Sequence, residues 1–133
     1  IIFSVHPNPN VQDVVNKNLY GYENIYLIKP TDYITFIKLM DVSYLILTDS
    51  GGIQEEAPSL NKPVLVMRND TERPEALEAG TAKLIKINKD EIVRNIINLI
   101  DNKKDYKLMT DKPNPYGDGF ASDRISDILL KLF

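Results

Sequence analysis

Five short aliphatic runs, at 1–5, 25–28, 44–48, 63–67 and 83–87, recur along this chain with amphipathic stretches between them. Nearly continuous apolar runs of about five residues predict strands covered on both faces, as in a parallel sheet. The intervening segments carry helical spacing. Residues 10–18 place Val11, Val14 and Val15 behind a capping Asn10, and 32–41 place Tyr33, Phe36, Ile37 and Met40 behind Asp32. Further helices are predicted over 53–60, 73–79, 89–101, 103–111 and 120–132, with Pro74 in the tolerated first turn of its helix. Strands alternating with helices through short connections predict a doubly wound α/β domain with right-handed crossovers.

Ligands of such sheets bind beyond the carboxyl ends of the strands. That rule brings His6, Lys29-Pro30, Asp49-Ser50-Gly51-Gly52 and the segment Arg68 to Arg73 to one edge. Among them the run Thr48-Asp49-Ser50-Gly51-Gly52-Ile53-Gln54-Glu55-Glu56 says most about chemistry. A strand running through Ser-Gly-Gly into a helix suits a phosphate. The glycines let the backbone approach a ligand and adopt conformations closed to other residues, and the helix start offers free N–H groups. Glu56 lies one turn beyond Gly52 on the same side. Its carboxylate would repel phosphate but accepts hydrogen bonds from a ribose, so the segment points to a nucleoside diphosphate. Glu55, about 100° around the helix, is read as a surface or domain-facing residue.

Composition narrows the rest. At 133 residues, 43% hydrophobic and 26% charged, the chain is an ordinary globular domain with one core. A net charge of -3 leaves no basic footprint for nucleic acid or an anionic membrane. No apolar run approaches the ~20 residues of a membrane span. The absence of cysteine excludes disulfides and thiolate metal sites and fits a reducing compartment, with the cytoplasm as the expected location. Ile, Lys and Asn are plentiful, which points to an AT-rich bacterial genome. The chain opens inside an apparent strand, Ile1-Ile2-Phe3-Ser4-Val5, and is read as a piece of a longer protein.

Several ordered blocks resemble one family. Thr48 to Leu60, then Lys62-Pro63-Val64-Leu65-Val66-Met67-Arg68, are similar to the non-hydrolysing UDP-N-acetylglucosamine 2-epimerases. So are Thr71-Glu72-Arg73-Pro74-Glu75, Glu78-Ala79-Gly80-Thr81, Asn114-Pro115-Tyr116-Gly117-Asp118-Gly119 and the opening Val5-His6-Pro7-Asn8-Pro9. The resemblance covers essentially the whole chain. It departs at Asn69-Asp70, where the pattern has Asp-Thr, and at Lys86, where a glycine is common.

The resemblance implies a Rossmann-like three-layer domain with a parallel sheet, the C-terminal half of a GT-B type fold. Residues 1–133 would form that UDP-binding domain, with the helix over 120–133 packing on an absent N-terminal domain. The implied reaction interconverts UDP-N-acetylglucosamine and UDP-N-acetylmannosamine by elimination of UDP to a 2-acetamidoglucal and re-addition. It needs no cofactor and no metal. The acid and base carboxylates belong to the absent domain, so no catalytic residue is assigned here, and the piece alone is expected to be inactive.

Residue by residue, the resemblance implies that Ser50, Gly51 and Gly52 hold the diphosphate and Glu56 the ribose hydroxyls. Arg73 then serves the phosphate or sugar, with Glu75 orienting it, and Phe36 lies at the uracil beside Pro30 and Tyr33. His6 contacts a second, regulatory UDP-N-acetylglucosamine. Each has a plainer reading: Ser50 as an N-cap, Arg73 paired with Glu72 or Glu75, Phe36 in the core, His6 as a structural residue, and 116–119 as a turn. The implied partners are UDP-N-acetylglucosamine and UDP, with the parent a homodimer, and neither nucleic acid nor membrane. Two other functions stay open: the nucleotide-sugar domain of a GT-B glycosyltransferase, and a non-catalytic UDP-binding module.

Overall fold

The computed structural model describes residues 1–132; Phe133, the last residue of the expected C-terminal helix, lies outside them. The chain divides into two compact units, Ile1–Leu39 and a second beginning at Met40.

In the first unit, β1 (Ile2–Ser4) pairs in parallel with β2 (Tyr26–Ile28), Phe3 opposite Leu27. The crossover between them is α1 (Pro9–Leu19). Its cap is Asn8, whose side chain accepts the Asn10 N–H at 2.9 Å, and not Asn10 as the sequence suggested. Pro9 explains the shift: its fixed φ and missing N–H suit the first helical position, which moves the cap two residues upstream, from Asn10 to Asn8. α2 (Tyr33–Val42) follows, with Asp32 accepting the Thr35 N–H at 3.0 Å. The expected two-sided burial is absent in this ladder. Ile2 is 52% and Tyr26 61% exposed. Apolar content predicts strand but does not say what covers each face.

In the second unit, β3 (Ile46–Thr48), β4 (Val64–Met67) and β5 (Ala82–Ile85) form a parallel ladder in that order. Leu65 stands opposite Leu47 on one side and Lys83 on the other. The central strand meets the sequence expectation: Val64, Leu65 and Val66 are fully buried. Leu65, Ile85 and Leu99 form the core, with Leu45, Met67, Ile92, Ile96 and Met109 packed against it.

The connections are α3 (Gly51–Glu56), which tightens into a 3-10 turn over Ala57–Leu60, and α4 (Pro74–Ala79). Pro58 has no N–H to continue an α-helical ladder, so the tighter turn is what the chain can form there. Gly80, at φ 79°, ends α4 in the left-handed conformation and donates to Ala76 and Leu77. A side chain would strain that cap.

α5 (Lys89–Asp101) and α6 (Lys103–Thr110) are capped by Asn88 and Asn102. The stacked rings of Tyr44 and Tyr106 lie 4.4 Å apart, and Tyr106 donates to the Tyr44 carbonyl, fastening α6 to the start of the third strand. α7 (Ala121–Leu132) leaves Ile125, Ile128, Leu129 and Leu132 exposed.

The turn into α7 is held by charge. Asp118 accepts the Phe120 N–H at 3.1 Å and both terminal nitrogens of Arg124 at 2.8 and 2.5 Å. Arg124 first, and then the Phe120 N–H, hold the Asp118 carboxyl down to about 2. The native value lies below the ordinary 3.8, so the ionised form favours the fold. This contribution is complete above about pH 4 and disappears as pH falls through about 2. A carbon-13 NMR titration should place the Asp118 midpoint near 2; a midpoint at 3.8 would remove the pair.

Candidate functional site

The turn after β3 is shaped by Thr48. Its buried hydroxyl accepts the Ser50 N–H at 3.0 Å, which bends the chain out of the strand and into α3. Ser50 occupies the N-cap in extended conformation, yet its side chain makes no capping hydrogen bond. The plain N-cap reading therefore fails for the Ser50 hydroxyl. Among the described residues no side chain takes the N–H groups of Gly51, Gly52 or Ile53 either, so the first turn keeps its donors.

The glycines differ from the expectation in kind. Neither has positive φ; both are ordinary helical residues. What Gly51 supplies is room: a Cβ there would lie 2.7 Å from Cζ and 2.8 Å from Nη1 of Arg73. The Arg73 guanidinium rests directly on the Gly51 backbone. Gly52 has nothing within 4 Å of the same construction and faces open space.

Arg73 reaches this place from the loop after β4, and that loop is tied down by a relay of hydrogen bonds. Fully buried Gln54 donates to the Ser50 carbonyl at 3.2 Å and accepts from the Thr71 hydroxyl at 2.8 Å. The Thr71 hydroxyl in turn accepts the Arg73 N–H at 3.2 Å. Arg73 Nε then donates to Glu55 at 2.5 Å, and Nη1 to Glu72 at 2.6 Å. Arg68 shares Glu72 at 2.9 Å. The hydrogen bond to Glu55 does most to raise the Arg73 pKa above its ordinary value, against a smaller effect of burial. Glu72 is held below the usual carboxylate range first by its own backbone N–H, then by Arg68 and Arg73.

The Glu55 side chain is 44% exposed, as a surface residue's would be, and what helical arithmetic leaves out is its partner. The angle to Glu56 is right, but the side of α3 that Glu55 occupies is where Arg73 arrives, eighteen positions later in the chain. The carboxylates ordering Arg73 are Glu55 and Glu72; no hydrogen bond joins it to Glu75. Glu56 makes no hydrogen bond or ion pair among the described residues and is only half-buried. Its carboxylate is open to a ligand.

Tyr116 adds a residue the sequence had placed merely in a turn. Its hydroxyl is buried and has no hydrogen-bond partner among the described residues. Burial pushes its pKa up; the Ala76 backbone opposes this without reaching hydrogen-bond geometry, and Glu75 and Glu55 add to the rise. The phenol thus stays protonated beside the Arg73 charge. In the first unit, His6 follows β1 and accepts the Asn8 N–H at Nδ1, 3.1 Å, while half-buried Phe36 lies on α2.

Residues 1–130 match the family described as UDP-N-acetylglucosamine 2-epimerase. The chain belongs to that family. It is 56% identical to the UDP-N-acetylglucosamine 2-epimerase of Campylobacter jejuni, over 98% of this chain and 34% of that protein. The Escherichia coli K12 epimerase is 52% identical over 97% of this chain and 34% of its own length. The Staphylococcus aureus MnaA–UDP co-structure superimposes with TM-score 0.91 at 50% identity, covering 99% of this chain and 37% of that one. The epimerase of Neisseria meningitidis bound to UDP-GlcNAc gives 0.90 at 48%, covering 98% and 35%. The chain thus spans about a third of the length of these relatives. The α/β fold with parallel strands is that of the solved epimerases, which have the GT-B fold.

Proposed function

We propose that this chain is the UDP-holding, C-terminal domain of an enzyme interconverting UDP-N-acetylglucosamine and UDP-N-acetylmannosamine. The observation that carries the reading is the Ser50–Gly52 turn, with open N–H donors, a guanidinium against Gly51 and an unpaired Glu56 one turn on. It occurs in a chain half identical to a relative solved with UDP.

In the proposed reaction a base removes the C2 proton of the sugar and the C1–O bond to UDP breaks, giving 2-acetamidoglucal and free UDP. Re-addition of UDP at C1 and of a proton at the opposite face of C2 completes the inversion. Negative charge grows on the departing diphosphate. The N–H groups of Gly51 and Gly52, the Ser50 hydroxyl and Arg73 are placed to stabilise it without reorganising, while Glu56 clasps the ribose hydroxyls. Phe36 would contact the uracil and His6 a second UDP-N-acetylglucosamine. The acid and base carboxylates lie on the other domain of the enzyme, which we infer to be a cytoplasmic bacterial homodimer. No described helix is long and apolar enough to cross a membrane.

Turnover of UDP-N-acetylglucosamine in deuterium oxide by the complete enzyme should place deuterium at sugar C2. A glycosyltransferase would leave C2 unlabelled, and a binding module would turn nothing over. Within the chain, Glu56→Ala should weaken UDP binding by calorimetry roughly tenfold to a hundredfold, as loss of charged hydrogen bonds does. The unfolding midpoint should not move. Unchanged affinity would take Glu56 out of the site.

A further inference from the structure

We propose that Glu55 is a positioning residue: it holds the Arg73 guanidinium on the Gly51 backbone so that an incoming diphosphate meets an arginine already aimed. This deepens the UDP reading above and rests on it. Arg73 belongs to a loop with little regular structure, and an unrestrained arginine samples many rotamers. Here two carboxylates and one glycine restrict it. Glu55 takes Nε at 2.5 Å, Glu72 takes Nη1 at 2.6 Å, and the missing side chain of Gly51 leaves a seat for the flat face of the guanidinium. Nη2 has no carboxylate partner among the described residues and is left for a ligand oxygen.

The two carboxylates are not equivalent. Glu72 is adjacent to Arg73 in the same loop and moves with it, and it is shared with Arg68. Glu55 stands on α3, the helix whose first turn carries Ser50, Gly51 and Gly52. Among the described residues it is the one ion-pair partner that ties the arginine to the turn itself. The Gln54–Thr71 relay ties the loop backbone to the same turn, so side chain and main chain are located from a single helix.

A carboxylate near a phosphate also repels it, and the two effects have opposite signs. Glu55 is already neutralised by contact with Arg73, so at the diphosphate its net field is that of a close pair. The ordering of a rotamer-rich side chain is the larger effect, worth roughly threefold to tenfold in affinity.

Calorimetry with UDP and with uridine on Glu55→Gln, Arg73→Ala and the double variant tests this. Glu55→Gln should bind UDP roughly threefold to tenfold more weakly than wild type. Uridine, which lacks the diphosphate, should bind both proteins equally. In the Arg73→Ala background the Glu55 substitution should change nothing further, because its action passes through the arginine. Nitrogen-15 NMR should show a hydrogen-bonded, slowly exchanging Arg73 Nε–H in wild type that is lost in Glu55→Gln. Equal weakening of UDP and uridine, a persistent effect without Arg73, or tighter UDP binding by Glu55→Gln each overturns the proposal. A wild type that binds no UDP overturns the functional reading as well, which the uncoupled outcomes above do not.

Discussion

Gly52→Ala should make the protein more stable and worse at holding UDP. A Cβ at Gly52 meets nothing within 4 Å, and the residue lies in the first turn of α3 with ordinary helical backbone. Alanine there gains on glycine by restricting the unfolded chain, about 0.5–1 kcal/mol. The same methyl group points into the space where the diphosphate is proposed to meet the backbone N–H groups, so UDP affinity should fall at least about tenfold through loss of one charge-assisted hydrogen bond. Gly51→Ala should behave differently. Its Cβ would sit 2.7 Å from the Arg73 guanidinium, the far end of a flexible side chain, which can retreat at small cost to the fold. The retreat breaks the Glu55 pair and withdraws the arginine, so affinity falls with stability nearly unchanged. Thermal unfolding and UDP calorimetry on both variants separate these outcomes. Gly52→Ala with full affinity would place the diphosphate somewhere other than this turn.

That contrast marks where reading the chain by itself stops. The aliphatic runs at 44–48 and 63–67 announced β3 and β4 because a buried parallel strand tolerates apolar residues on both faces, and Val64–Val66 are buried accordingly. The glycines announced a close approach, and a close approach exists, but at Gly51 the approaching group is the protein's own Arg73. Nothing in local spacing shows that the loop after β4 folds back across the start of α3. That information resides in the Gln54–Thr71 hydrogen bond and the Glu55–Arg73 pair, both long-range in sequence. For the same reason the angle between Glu55 and Glu56 does not reveal that Glu55 meets Arg73: helical angles relate residues within a helix and say nothing of what packs against it. The cap of α1 failed more simply, since Pro9 claims the first helical position and hands the cap to Asn8.

The largest loss of stability should come from Leu65→Ala. Leu65 is the middle of the central strand, 0% exposed, and its side chain packs with Ile85 and Leu99 in a cluster closed by Leu45, Met67, Ile92, Ile96 and Met109. Removing its terminal carbons forfeits their transfer from water and leaves a void. The strands on both sides of β4 are held at ladder spacing by their hydrogen bonds to it and cannot collapse into the void. Such truncations cost about 2–5 kcal/mol, a large share of the roughly 5–15 kcal/mol that holds a domain together. The melting temperature should fall by on the order of 10 °C, and the urea midpoint should drop with unchanged slope. Leu130→Ala removes the same atoms from α7, where Leu130 is 76% exposed, and should stay within about 0.5 kcal/mol of wild type. At temperatures where Leu65→Ala remains folded, its affinity for UDP should match wild type, because the core supports β3 and β4 without touching the turn that follows them. A Leu65→Ala variant as stable as Leu130→Ala would mean that the second unit is not organised around β4.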